Sequence, residues 1–262
     1  MKTIIKVMLA VLTGSRACSR SAKRTSLFFS FLIAAFVLSM VPTVQTVAQK
    51  KWKYQGNFYE GLALVEDDNG KYGFINETGK LVIPCKWVAA EPFSEGLARV
   101  RYPSDGYLLP PWGFIDKTGK LVIPCKWGNA RDFDNGLARV LDYDGWGFIN
   151  KKGKVVIPCK WRNAETFYEG LALVQNDKGM YGFISKTGKV VIPCKWKYAE
   201  HFREGLALVR DDNEKCGFIS KTGKLVIPCK WNMAYSFFEG LALVKDDNYV
   251  EHKIDKTGKI VE

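Results

Sequence analysis
The chain has 262 residues, 47% hydrophobic and 25% charged, with 39 Lys and Arg against 27 Asp and Glu for a formal net charge of +12. That apolar fraction excludes a disordered polyampholyte, and the length is enough for one sizeable domain. With only two histidines, and no two cysteines at the close spacing of a zinc site, no metal or other cofactor is expected.

In chain order, the first segment is a leader. Lys2, Lys6, Arg16, Arg20, Lys23 and Arg24 come without any acid, Leu27 to Val41 is apolar apart from two serines, and Thr46-Val-Ala48 is a small-residue site. Basic, then apolar, then small is the order of a secretory signal peptide, so residues 1–48 are expected to be cleaved before Gln49. An uncleaved anchor is the alternative, although this apolar stretch is shorter than the roughly 20 residues a spanning helix needs. The expected location is outside the cytoplasm: periplasmic, cell-surface or secreted. A membrane partner is expected only if the leader is retained.

From 49 to 262 a unit of about 35 residues recurs six times. Trp52, Trp87, Trp127, Trp161, Trp196 and Trp231 mark it, each six residues before Phe58, Phe93, Phe133, Phe167, Phe202 and Phe237. In the fourth copy, Gly170 to Val174 is a short apolar run, Tyr181 to Ile184 is aromatic and β-branched, and Val190 to Ile192 is β-branched throughout. These read as three strands of an antiparallel meander, with a short fourth near the tryptophan. No segment has the spacing of an amphipathic helix. The tryptophans are expected inside the array.

Between the second and third of these runs stands Asn76-Glu-Thr-Gly79, repeated as Asp116 to Gly119, Asn150 to Gly153, Ser185 to Gly188, Ser220 to Gly223 and Asp255 to Gly258. A side-chain acceptor at the start and glycine at the end predict a type I turn closing on a G1 bulge. Pro84, Pro124, Pro158, Pro193 and Pro228 cannot donate to a ladder and predict a strand end or a sheet edge.

The fold class is therefore all-β, six tandem antiparallel meanders. The first unit opens on the tail of a Cys-Lys-Trp element that the last unit lacks, which suits a closed, propeller-like toroid. Glu251-His252-Lys253, in place of the aromatic-Gly-Phe triplet, suits instead the exposed cap of an open β-solenoid, the alternative.

Export changes how charge and cysteine are read. Six cations precede Gln49, leaving 33 basic and 27 acidic residues after it, so half the surplus charge belongs to the leader. Cys85, Cys125, Cys159, Cys194 and Cys229 share one repeat position, and Cys216 stands where other units have Tyr or Trp. An oxidising compartment raises the prospect of disulfides. Equivalent positions lie one repeat step apart, however, against the about 7 Å that a bridge tolerates, so the cysteines are read as small apolar side chains.

The runs Trp112-Gly-Phe-Ile-Asp-Lys-Thr-Gly-Lys-Leu-Val-Ile-Pro124 and Trp146 to Pro158 resemble the WG-repeat, or KWG, family of bacterial repeat proteins. The resemblance covers nearly all of residues 51–262, departs at Tyr72, Tyr181 and Cys216, and is lost in the last unit. It implies a β-repeat array of bacterial origin and no reaction, because that family offers no catalytic residues to carry over.

Function is then read from what the array displays. Asp67-Asp68, Asp211-Asp212 and Asp246-Asp247 fall in one hairpin of the unit and the turn lysines in the next, which predicts an acidic rim and a basic one. Lys186, Lys221 and Lys256 are the candidate ligands for an acidic polysaccharide or another anionic surface. The second unit carries an insertion, Tyr102 to Pro111, and insertions in arrays map to binding faces, so Tyr102 and Tyr107 are further candidates. The expected role is a non-enzymatic binding or scaffold module for a protein or glycan. The alternative is a glycan-active hydrolase or lyase in the variable loops, using paired carboxylates such as Asp67 and Asp68. Nucleic acid is not an expected partner of an exported chain, and His201 is read as a surface residue rather than a base.

Overall fold
The computed structural model describes residues 51–103 and 111–261, all strands and turns. The expected leader, residues 1–48, lies outside them.

The first sheet is β1 (Tyr54–Tyr59), β2 (Leu62–Glu66), β3 (Tyr72–Asn76) and β4 (Leu81–Trp87), and the second is β5 (Ala89–Ala90), β6 (Leu97–Arg101), β7 (Trp112–Asp116) and β8 (Leu121–Trp127). The third is β9 (Asn129–Asp134), β10 (Leu137–Asp142), β11 (Gly145–Asn150) and β12 (Val155–Trp161). The fourth is β13 (Asn163–Tyr168), β14 (Leu171–Gln175), β15 (Tyr181–Ser185) and β16 (Val190–Trp196). The fifth is β17 (Tyr198–Ala199), β18 (Leu206–Arg210), β19 (Cys216–Ser220) and β20 (Leu225–Trp231), and the sixth has three strands, β21 (Met233–Ala234), β22 (Leu241–Lys245) and β23 (Glu251–Asp255). Strand order follows chain order in every sheet and all pairs are antiparallel. The expected meander is therefore present, and the fourth strand near the tryptophan is the first strand of each following sheet.

Two hairpins of each unit are tighter than their composition suggests. β1 and β2 join through Glu60 (φ 52°) and Gly61 (φ 84°), both left-handed, as a two-residue type I′ hairpin requires. Glu95, Glu169, Glu204 and Glu239 repeat this conformation, and only Asn135 brings to it a side chain that favours it. The turn at Asn76 is the expected G1-bulge turn: Gly79 (φ 79°) donates to Asn76 O at 2.8 Å, and Asn76 Oδ1 accepts from Lys80 N at 2.9 Å.

The outer strand carries the proline inside it, at the free edge of the sheet. Between the pairs Tyr181↔Trp196 and Phe183↔Ile192, one residue of β15 faces three of β16, so Pro193-Cys194-Lys195 bulges. The bulge presses on Gly182, where a Cβ would stand 2.6 Å from Ile192 O and 2.8 Å from Cys194 N. This explains the small residue after the aromatic. It also explains why His252 can replace glycine in the sixth sheet, which has no outer strand to bulge against it.

The core sits between sheets. Leu62, Leu64, Phe74, Ile83 and Trp87 of the first sheet meet Ala90, Phe93, Ala98, Val100 and Ile115 of the second, and this set recurs at the following joints. At every joint the phenylalanines of successive units touch, from Phe74 with Phe93 (4.9 Å between centroids) to Phe218 with Phe237 (4.8 Å). From the second sheet on, each turn glycine seats on an isoleucine of the preceding sheet, such as Gly188 on Ile157. Trp87, Trp127, Trp161, Trp196 and Trp231 are buried, as expected of them.

A joint from the sixth sheet to the first is absent among the described residues. Phe58 is 41% exposed where its five counterparts are 1–6%, and Leu241 is 38% exposed where Leu206 is 8%. β1 completes its own sheet and not the sixth. The described residues thus leave the first and sixth sheets unjoined, within the propeller-like and open arrangements expected for the all-β meander.

Candidate binding site
The turn lysines do not stand free on a basic rim. The first and the third hairpin of each unit share one side, so four of the five turn lysines from Lys117 to Lys256 meet the strained glutamate of the sheet before them. Lys117 Nζ lies 3.1 Å from Glu60 Oε2, Lys151 3.1 Å from Glu95, Lys221 2.9 Å from Glu169 and Lys256 2.9 Å from Glu204. The same carboxylates accept backbone N–H groups of the next sheet, Gly96 to Glu60 and Gly240 to Glu204 at 3.0 Å, Gly205 to Glu169 at 3.1 Å. Lys186 faces Asn135 instead, with Nζ 3.5 Å from Oδ1. A lysine, a glutamate and a glycine N–H thus close four of the five joints. The glutamates were not singled out from sequence, although Glu-Gly recurs two residues after the phenylalanine in five of the six units.

Burial works to raise the Glu60 and Glu169 carboxyls, but the lysine opposite and the glycine N–H outweigh it and hold both below the ordinary carboxylate value. Glu204 is also held low, chiefly by its hydrogen bond with Lys256.

The aspartates of the other hairpins have a structural task. Asp67 Oδ1 accepts from Asn69 N (3.0 Å) and Lys71 N (2.9 Å), and Asp211 and Asp246 repeat the arrangement. Among the described residues no group of His, Cys, Asp and Glu is placed to hold a metal ion. Tyr102 is half exposed and packs edge-on against Trp87 at 5.2 Å; Tyr107 lies outside the described residues. His201 is half buried rather than on the open surface. Its ring stacks on Tyr168 at 4.2 Å, and Nε2 lies 2.7 Å from Glu165 Oε2.

A regular set of lysines without a carboxylate partner flanks and ends the outer strands. Lys80, Lys120, Lys154, Lys189 and Lys224 open these strands, and Lys86, Lys126, Lys160, Lys195 and Lys230 close them; all are exposed and none forms an ion pair among the described residues. The second set lies over the neighbouring indoles, 4.7–5.1 Å from the ring centres. Between the two sets each strand exposes apolar side chains, as at Leu81, Val82 and Pro84. Lysine, proline and a bulge also guard a free sheet edge against pairing with another strand. The half-buried cysteines of these bulges form no disulfide among the described residues, and burial pushes Cys159 up to about 12 and Cys229 up to about 11.

An array of meanders joined face to face, with no convergent polar centre repeated from unit to unit, defines a β-repeat module. The family described as WG containing repeat matches residues 72–102, 112–144, 146–179, 181–216 and 217–249, and the chain belongs to that family. No curated protein sequence matches the chain. Among solved structures it is similar to the computationally designed Ika8 protein (10% identity, 79% of this chain and 72% of that one, TM-score 0.40). BamB from Moraxella catarrhalis is 13% identical over 77% of this chain and 72% of its own, with a TM-score of 0.40. The WD40 β-propeller domain of Doa1 is 11% identical over 74% of each chain, with a TM-score of 0.30.

Proposed function
We propose that the chain is an exported, non-enzymatic binding module that holds an acidic polysaccharide along its outer strands. The observation that carries this reading is the division among the lysines. Those of the turns are spent on the joints, whereas two per outer strand have no carboxylate and recur in register from sheet to sheet. A row of like charges raises the local concentration of a polyanion, and the exposed valines and prolines between them offer contact to sugar faces. The non-enzymatic part is supported by the use of the paired aspartates as turn caps.

The test is binding of the purified chain to an acidic polysaccharide at about 50 and about 500 mM salt, where screening separates exposed charge pairs from other contacts. Binding that falls with salt and is lost on changing Lys189, Lys195, Lys224 and Lys230 to Gln, but kept on changing Lys186 to Gln, is the expected result. No binding at either salt would overturn the polysaccharide reading and leave a protein partner.

A further inference from the structure
The second strands of the second and third sheets carry Arg99 and Arg139 where the other sheets carry Leu64, Leu173, Leu208 and Leu243. Both arginines cross a joint. Arg99 donates from Nη1 to Ala130 O at 2.8 Å and from Nε to Asp132 Oδ1 at 2.6 Å, and its guanidinium lies 4.9 Å from the centre of Trp112. Arg139 repeats this with Ala164 O and with Trp146 at 4.7 Å.

At the first and fourth joints, where leucine takes the place of arginine, a groove stays open. At the fourth joint a groove of about 330 Å³ is lined by Glu165, Leu173, Tyr181, Ala199, Glu200 and His201, together with Tyr198 and Arg203. Tyr181 stands at the repeat position of Trp112 and Trp146, and Ala199 at that of Ala130 and Ala164, whose carbonyls take the arginines. Glu165 is engaged by His201. Glu200 is not engaged by any cation among the described residues: Tyr198 OH donates to Oε1 at 3.1 Å and Ser236 Oγ to Oε2 at 2.6 Å. The first joint has a similar groove, but there Lys53 already lies 2.6 Å from the lining carboxylate Glu66.

We propose that the groove at the fourth joint is a binding site for the arginine side chain of a partner polypeptide. The guanidinium lies flat against Tyr181, as Arg99 and Arg139 lie on Trp112 and Trp146, donates to the Ala199 carbonyl, as they donate to Ala130 and Ala164, and pairs with Glu200. His201 stands here at the repeat position of Asp132, the carboxylate that receives Arg99, so Glu200 supplies the negative charge in its place. The site is separate from the outer-strand lysines, which attract the opposite charge.

The probe is N-acetyl-arginine amide, with N-acetyl-citrulline amide as its uncharged counterpart of equal shape, titrated into the purified chain while the tyrosine and histidine ring signals are followed by NMR. Arginine is expected to shift the His201 and Tyr198 signals saturably and to bind at least about tenfold more tightly than citrulline, as a charge-assisted fork should. Leu173→Arg, which supplies the side chain from within, is expected to abolish binding, and Glu200→Gln to weaken it at least about tenfold. If Leu173→Arg does not fold, Glu200→Gln decides. Equal binding of the two probes, no saturable shift of either ring signal, or full binding by Glu200→Gln would each overturn the proposal.

Discussion

Glu169 in the first hairpin of the fourth sheet and Lys221 in the last hairpin of the fifth meet at 2.9 Å, and the same carboxylate accepts the Gly205 N–H at 3.1 Å. The glutamate holds φ 48°, a region unfavourable for any side chain but Asn and Asp, in order to reach both. The expected cost of Glu169→Ala is about 1–2 kcal/mol, since a charge-assisted bond to a backbone donor is lost together with a half-exposed ion pair. Chemical denaturation of the purified chain measures it, and no loss would mean that the joint is held by its apolar contacts alone.

The same clamps make stability depend on acid. Glu60, Glu169 and Glu204 have folded-state carboxyl values below the ordinary one. A depressed carboxyl contributes stability that is fully present above its unfolded value and is lost as pH falls through its folded value. Melting temperature is therefore expected to be flat near neutrality and to drop below pH about 4, with a shallower drop when Lys117, Lys221 and Lys256 are changed to Met together. Equal slopes in the two proteins would remove the clamps from the account.

Gly182 is expected to be intolerant of even one methyl group. Its φ is ordinary, so the objection is to space: the added Cβ would stand 2.6 Å from a backbone oxygen and 2.8 Å from a backbone nitrogen, neither of which can move without opening the bulge. Gly182→Ala should destabilise by about 2–3 kcal/mol, the usual range for an overpacked site. Gly56, in the first strand of the first sheet, has a tyrosine side chain as its nearest neighbour, so Gly56→Ala should change stability far less. Similar costs at the two positions in parallel denaturation curves would refute the bulge as the reason for the glycine.

Much of this was legible in the chain because its chemistry is local. The aromatic-Gly-Phe-Ile run, the four-residue turn and the β-branched run that follows are contiguous, so strand, turn and strand could be read within one copy. What escaped lies across copies. Glu169 and Lys221 belong to different units, and nothing in either hairpin names the other; the isoleucine under each turn glycine was hidden for the same reason. The first hairpin escaped because Glu60 and its counterparts adopt a conformation that their side chains do not favour, so composition gave no turn signal. His201 looked like a surface residue because its partners Glu165 and Tyr168 sit in the preceding sheet. The pairing of Arg99 with Trp112 and Arg139 with Trp146, against leucine with tyrosine at Leu64, Tyr72, Leu173 and Tyr181, was visible in the sequence as joint variation.

Trp161 tests the internal packing. It is buried within the joint of the third and fourth sheets, among Phe148, Ile157, Phe167 and Val174. Trp161→Ala should cost about 3–5 kcal/mol, the loss expected for a large aromatic that leaves a cavity behind. A change below about 1 kcal/mol in chemical denaturation would place the indole outside the core.

The ends of the array carry charges that oppose a further joint of the same kind. At the internal joints a glutamate or Asn135 meets a lysine; the sixth sheet offers Glu239, and the first sheet has Glu77 where the others have lysine, so that joint would set two carboxylates together. Lys253 stands at the position of Phe74 and Phe218, and burying it would cost several kcal/mol of desolvation. The apolar side chains beside it, Leu241 and Phe238, remain exposed. Removing both obstacles with Glu77→Lys and Lys253→Phe should let the sixth sheet of one molecule dock on the first sheet of another, a head-to-tail contact that does not close on itself and so grows with concentration. Sedimentation velocity across a concentration series would reveal it as a rising weight-average mass in the double variant and not in the unaltered chain. A double variant that sediments like the unaltered chain at every concentration would mean that Glu77 and Lys253 do not guard these faces.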